Sequence, residues 1–327
     1  MTTRFGLFVP QGWKMDLAGF SDPVEQWEAM TAVARAADAG PWDSIWLFDH
    51  FHTVPSPVRE TVFEAWTTTA ALARDTSRVK LGQMVGCNGY RNPALYAKMA
   101  ATVDVASHGR LYAGIGAGWS DHEWRAYGYP WTSLKDRMGS FSESVELIHR
   151  LWTEDDVVFD GKYHSVDKPF VEPRRKPPLW IGGGGEKVTL RLVAQYGDAC
   201  NFGTGNVDTI KHKLSVLRAH CDSVGRDYSE IVKSTSINVF PIDAGADPVT
   251  ATARARGRYS VEEFQEIGAG GGLEGSRAQL ATTKQIALQV EQLAEVGIEY
   301  VIVYVPGVAY DHEPLQRFAQ DVVPAFS

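Results

Sequence analysis

Residues 24–52, VEQWEAMTAVARAADAGPWDSIWLFDHFH, hold one complete helix-to-strand unit. Apolar and small residues recur at helical spacing through Val24–Ala39. Gly40 follows, a residue that easily adopts a left-handed cap, and Pro41 forbids continuation. Ser44–Phe48 is then a short apolar run of strand-forming residues, and it opens directly into Asp49-His50-Phe51-His52, in which Asp49, His50 and His52 are able to carry chemistry.

Working outward, the same alternation repeats. Strands are expected at Phe5–Val9, Ser44–Phe48, Val79–Val85, Leu111–Ile115, Leu179–Gly182, Ala199–Phe202, Val232–Phe240 and Tyr300–Val305. Helices are expected at Val24–Ala39, Pro93–Ala106, Ser133–Leu151, Lys187–Gln195, Val207–Val224, Thr282–Val296 and Pro314–Pro324. Asn92 serves as the cap of the second of these, with Pro93 in the first turn where its missing N–H costs nothing. Strand–helix alternation predicts a parallel sheet covered by crossover helices. A doubly wound open sheet is the alternative, but the strand count, the length of 327 residues and the lack of a midpoint linker favour one (β/α)8 TIM-barrel domain over 1–327. Two stretches exceed a minimal barrel, 157–178 before the fifth strand and 243–281 after the seventh. Both are expected near the active face, the second mobile and carrying Gly268–Gly272.

Composition excludes several classes. The formal net charge of −8 disfavours a nucleic-acid partner, which needs a basic face. No run reaches the apolar length of a membrane helix, and Met1–Pro10 lacks the pattern of a signal peptide. Cys87, Cys200 and Cys221 form no CxxC pair, which suits a reducing compartment and a cytoplasmic location. A small buried apolar residue is the favoured reading of Cys87 and Cys200 over a catalytic one.

In such a barrel, chemistry sits just after each strand. Gly182, Gly183, Gly184 and Gly185 follow the fifth strand and open a helix, so backbone N–H groups can approach a phosphate without side-chain obstruction. It is no P-loop, since Glu186 precedes Lys187 and Val188 stands where Ser or Thr would bind magnesium. Gly114-Ile115-Gly116-Ala117-Gly118 fails as a dinucleotide fingerprint because it follows the fourth strand, yet it offers backbone approach to a flat ligand with Trp119 on the wall. Asp49-His50-Phe51-His52 admits a His-x-His metal pair, for which only Asp311-His312 offers a further ligand at a strand end. It equally admits His50 as a proton-transfer or hydrogen-bonding group beside a cofactor ring. Trp13, Phe51, Tyr90, Trp119, Trp124 and Phe202 have the character of a water-poor pocket, whereas Trp46 reads as packing alone.

Taken together, Ile45-Trp46-Leu47-Phe48-Asp49-His50, Tyr90-Arg91-Asn92-Pro93-Ala94-Leu95-Tyr96-Ala97-Lys98, Asp104-Val105-Ala106-Ser107-His108-Gly109-Arg110-Leu111, Gly114-Ile115-Gly116-Ala117-Gly118-Trp119 and Pro178-Leu179-Trp180-Ile181-Gly182-Gly183 resemble the luciferase-like monooxygenase superfamily, and its F420-dependent branch in particular. The resemblance runs from Phe5 to about Phe202. It implies a barrel with the cofactor at the strand carboxyl ends, its ring on a third-strand bulge with a non-proline cis peptide within Gln83–Gly86. Asp49, Met84, Val85, Gly86, Gly116, Gly118, Trp119 and Gly182–Gly185 are the implied cofactor contacts. His50 is the implied catalytic residue, with Trp13, Phe51, His52 and Trp119 as the substrate wall. Sugar-phosphate dehydrogenases of that branch carry a Glu near the position of Trp119, a departure that bears on the acid–base scheme.

The expected function is hydride transfer between coenzyme F420 and a small organic substrate, with no metal and no nucleic-acid or membrane partner. An FMN-dependent monooxygenase is the first alternative, a metal-dependent barrel hydrolase the second and a non-catalytic deazaflavin carrier the third. The resemblance also implies a homodimer.

Overall fold

The computed structural model describes residues 2–203, 205–267 and 277–326. Eight parallel strands close into a barrel: β1 Arg4–Phe8, β2 Ser44–Leu47, β3 Lys80–Gln83, β4 Leu111–Gly116, β5 Leu179–Gly182, β6 Ala199–Asn201, β7 Val232–Pro241 and β8 Tyr300–Tyr304. Each pairs with its sequence neighbour, and β8 returns to β1 with Tyr300 opposite Arg4 and Val303 opposite Leu7. An open doubly wound sheet is thereby excluded. Helices α1 Pro23–Ala39, α2 Ala65–Asp75, α3 Pro93–Ala106, α4 Leu134–Thr153, α5 Thr189–Tyr196, α6 Val207–Val224, α7 Thr283–Glu295 and α8 Glu313–Asp321 follow the strands in turn.

Alternation along each strand divides the core in two. In β2 and β8, Ile45, Leu47, Val301 and Val303 face the helices and join the large outer core. Trp46, Tyr300, Ile302 and Tyr304 point inward with Tyr112 and Trp180, filling the barrel axis. The interior is a packed layer, as expected for eight strands. Trp46 lies 4.8 Å from Trp180 and 5.8 Å from Tyr112 between ring centres, so it is packing alone, as its place in a strand implied. Burial of such aromatic area outweighs most other single contributions to a core.

Three elements depart from the expectations. The run Val79–Val85 is not one strand: β3 stops at Gln83, a cis peptide joins Met84 to Val85, and Gly86–Cys87 then pairs with β4. Helix α2 had no assignment, because its Thr67-Thr68-Thr69 run is β-branched and weakly helical. Glu64 rescues it by accepting the N–H groups of Trp66 and Thr67. A short helix, Asp121–Ala126, interrupts the chain after β4.

The segment 157–178 contributes an antiparallel pair, Val158–Asp160 with Ser165–Asp167. It is held to α4 through His164, which meets Ser140 and Ser144 at 2.9 Å, and to α3 through Arg175 and Asp104 at 2.7 Å. The segment 243–281 adds short helices and a strand, Gln279–Ala281, beside β7. Gly268–Gly272 lies outside the described residues.

The interrupted third strand crowds its neighbour. A Cβ on Gly114 would sit 1.6 Å from the Gln83 carbonyl oxygen, and both are backbone positions that cannot swing aside. Gly114→Ala is therefore expected to lower unfolding free energy by at least about 2 kcal/mol, measured by urea denaturation. A variant as stable as the parent would show that this crowding is relieved at little cost.

Candidate active site

The carboxyl ends of β1 to β6 with the turns after them, and the middle of β7, surround one cavity of about 920 Å³. Phe8, Asp49, His50, Met84, Val85, Gly116, Gly118, Trp119, Gly182–Gly184, Asn201 and Ser236 all line it. The strand ends read from the sequence thus converge on one mouth.

His50 lies flat against Trp13, with ring centres 4.2 Å apart and planes within 3°. Trp119, itself 53% exposed, makes a T-shaped contact with the same ring at 5.4 Å. His50 Nδ1 meets Glu123 Oε2 at 2.7 Å. That contact orients the imidazole, leaving Nε2 as the nitrogen for the cavity.

Glu123 is buried, and it gathers far more than His50. The Phe51 and His52 N–H groups both donate to its Oε1 at 2.8 Å, and Tyr90 Oη donates to its Oε2 at 3.0 Å. Burial by itself pushes this carboxyl up; the His50 hydrogen bond and charge, with the two backbone N–H groups, outweigh that and bring it down to about 2.

Asp49 binds structure as well as facing the cavity. Its Oδ2 accepts the Cys87 N–H at 2.7 Å, and both of its oxygens take the Arg91 guanidinium. Arg91 also reaches Glu64 at 2.6 Å, so the bulge after β3, the end of β2 and the start of α2 share one ion-pair network. Such bidentate pairing is both strong and geometrically specific.

The glycines divide by role. A Cβ on Gly116 or Gly182 would strike Val85 at 2.4 or 2.5 Å, so these two make room for the bulge. Gly118, at φ +79°, clears Cys87 and Trp124. Gly183, at φ +116°, and Gly184 meet nothing closer than 3.5 Å, which leaves an open backbone turn on the cavity wall. Gly86 is buried beneath the bulge and Gly185 is packed on Thr189, and neither is among the lining residues. Helix α5 begins at Thr189, so a turn at Glu186–Val188 separates the glycine run from the helix.

Two members of the expected substrate wall are placed elsewhere. Glu123 draws the backbone of Phe51 and His52 outward. Phe51 stacks on Tyr90 at 4.6 Å and Tyr127 at 4.3 Å, while His52 meets His122 at 2.9 Å. Trp13 and Trp119 do line the cavity. His312 stands at the start of α8, and among the described residues no three His, Cys, Asp or Glu side chains gather as a metal site. Cys87 and Cys200 are buried, and burial raises both thiols, Cys200 to about 12.

Sequence reasoning missed Glu123, whose place on a six-residue helix had no periodic signal. It also missed Lys14 and Asp16. Lys14 lines the cavity, 3.9 Å above the Tyr304 ring. Burial lowers it to about 7 against the pull of Asp16. Burial raises Asp16 to about 6, opposed by the Gly12 N–H at 2.6 Å, by Lys14 and by the Tyr304 hydroxyl at 3.3 Å. Asn201, Ser236, Asn238, Gln279 and Gln289 complete a neutral polar wall.

The model of the luciferase-like monooxygenase family matches residues 3–299. The chain belongs to that family. An F420-dependent glucose-6-phosphate dehydrogenase of Amycolatopsis mediterranei is 26% identical over 94% of this chain and 97% of its own length. Another of Segniliparus rotundus is 32% identical over 68% of each. Among solved structures, an F420-dependent secondary alcohol dehydrogenase in complex with an F420–acetone adduct aligns over 100% of both chains with a TM-score of 0.75 at 21% identity. A monooxygenase from Streptomyces bottropensis reaches 0.78 at 19%, over 99% of this chain and 100% of that one. At these identities the structural matches speak to the family's fold, the closed barrel described above.

The depressed Glu123 carboxyl makes the site pH-sensitive. Its contribution is present above the ordinary glutamate range, near 4.5, and is lost as pH falls toward about 2. Glu123→Gln is expected to destabilise this family member by roughly 1–3 kcal/mol at neutral pH, with the difference narrowing between pH 5 and 3. Denaturation curves of both proteins across that range check it, and a gap independent of pH contradicts it.

Proposed function

We propose that this protein is an F420-dependent oxidoreductase that transfers a hydride between the deazaflavin and a small organic substrate, with His50 as the proton-handling residue. The observation that carries the reading is the buried Glu123 carboxylate holding His50 on the wall of a cavity built from barrel strand ends. Full-length relatives named as F420-dependent dehydrogenases support the cofactor.

The residues present fit such a group. Val85 projects from the bulge after β3 into space that only glycine at 116 and 182 leaves open. The open turn at Gly183 and Gly184, with Thr189 beside it on the cavity wall, is a cradle a side chain would fill. In this proposal Met84 and Val85 support the ring, Gly183, Gly184 and Thr189 hold the phosphate, and Asp49 fixes the bulge through Cys87 and Arg91. F420, when bound, supplies the hydride-accepting or hydride-donating carbon.

The chain's own work is placement and proton handling. Trp13 stacks on the imidazole and Trp119 makes an edge contact with it, which together limit how the ring can turn. Glu123 on Nδ1 keeps Nε2 directed to the reacting oxygen and supports the positive charge that builds when Nε2 takes a proton. A homodimer and a cytoplasmic setting belong to the same proposal; the second is supported by three free cysteines and by the absence, among the described residues, of a helix able to cross a membrane.

Titration with F420 and with FMN, followed by fluorescence, tests the cofactor: F420 is expected to bind stoichiometrically and at least about tenfold more tightly than FMN. Tighter FMN binding with oxygen consumption supports the monooxygenase alternative instead. His50→Ala is expected to keep F420 affinity while lowering kcat by about 10² to 10⁴ on any substrate the parent turns over.

A further inference from the structure

We infer that the substrate is an uncharged oxygenated compound, an alcohol or carbonyl, held through one oxygen by the Lys14 ammonium, and that phosphomonoesters are poor ligands of the substrate space beside Lys14, as distinct from the Gly183–Gly184 turn assigned to the cofactor. This rests on the F420 reading above and specifies the substrate class of that same site.

The charge inventory carries the argument. Among the described residues lining the cavity, the ionisable groups of Lys, Arg, Asp, Glu and His type are Lys14, Asp49 and His50. Asp49 is engaged by Arg91 and Cys87, and His50 by Glu123. Lys14 is the one Lys or Arg in that set. The residues outside the description, 1, 204, 268–276 and 327, are Met1, Thr204, Gly-Ala-Gly-Gly-Gly-Leu-Glu-Gly-Ser and Ser327, with no Lys, Arg or His side chain among them. No second cation comes from there.

Lys14 is also spoken for electrically. It is 5% exposed, sits above Tyr304 with Phe48 and Trp13 within 5.8 Å, and lies two residues from the buried Asp16. When both ionise, the pair carries no net charge and offers the cavity N–H donors rather than a field. A neutral oxygen acceptor suits such a donor. A phosphate dianion does not, since it must be desolvated against a single cation whose charge is already balanced. Phosphate sites ordinarily gather several cationic or backbone donors around one group.

The remaining polar lining agrees. Asn201, Ser236, Asn238, Gln279 and Gln289 present amides and hydroxyls, which match hydroxyl and carbonyl groups and offer no compensating charge. The relatives named as glucose-6-phosphate dehydrogenases act on a phosphomonoester, so this lining marks a difference in substrate class within the family.

The test titrates the enzyme–F420 complex with glucose 6-phosphate, glucose, cyclohexanol and cyclohexanone, following quenching of tryptophan fluorescence, for which Trp13 and Trp119 are reporters in the cavity wall. At least one uncharged compound is expected to bind, and glucose 6-phosphate to bind at least about tenfold more weakly than it. Lys14→Met is expected to weaken the uncharged ligand by about tenfold and to leave F420 affinity unchanged, with Lys14→Arg recovering part of the loss. Glucose 6-phosphate binding as tightly as any uncharged ligand overturns the inference, as does a panel of uncharged compounds that leaves the signal unmoved, or a Lys14→Met protein with parental ligand affinity. Failure of F420 itself to bind in the first step overturns the cofactor reading instead.

Discussion

One buried carboxylate organises the mouth of this barrel. Glu123 arrives from a short helix after β4 and receives four donors at once: His50 Nδ1, the Phe51 and His52 backbone N–H groups and the Tyr90 hydroxyl. A carboxylate taken from water needs that many partners, and here the partners are the turn after β2 and the segment after β3. Satisfying the charge therefore sets where the imidazole lies. It also decides which neighbours face away, since the same bonds carry Phe51 and His52 out of the cavity.

A second carboxylate, Asp49, performs the matching task one residue earlier. By joining the Cys87 N–H to the Arg91 guanidinium, it fastens the irregular backbone after β3 to the end of β2. The glycines at 114, 116 and 182 are the steric complement of that irregularity, for each lies where a methyl group would collide with Gln83 or Val85. Glycine runs that look like ligand loops thus serve two purposes, protein packing at Gly116 and Gly182 and an open turn at Gly183 and Gly184. Family membership and the shape of the mouth agree on cofactor chemistry.

Much of this was legible in the chain itself. Alternating strand and helix patterns, with Gly40-Pro41 punctuation and apolar β-rich runs, are local signals, and local signals are what a linear reading captures. Seven of the eight strands appear where that reading put them, the third being broken after Gln83 at the Met84–Val85 peptide, and His50 and Gly183 drew attention because catalytic barrels place chemistry directly after strands. Helix α2 escaped, since its threonine run opposes helix and only Glu64 capping and packing against the sheet favour it.

What sequence alone determined is the period of the elements, their order and the polar residues at their ends, because each depends on neighbours a few positions apart. Tertiary structure alone decided that Glu123 meets His50 across 73 residues, that Asp49 ties down the bulge through Arg91 across 42, and that Asp16, with Lys14 nearby, is buried beside Tyr304 across 288. Those pairings exist because barrel closure brings distant strand ends within hydrogen-bond reach and withdraws water from them. No local pattern encodes a contact whose partners share nothing but the cavity they close.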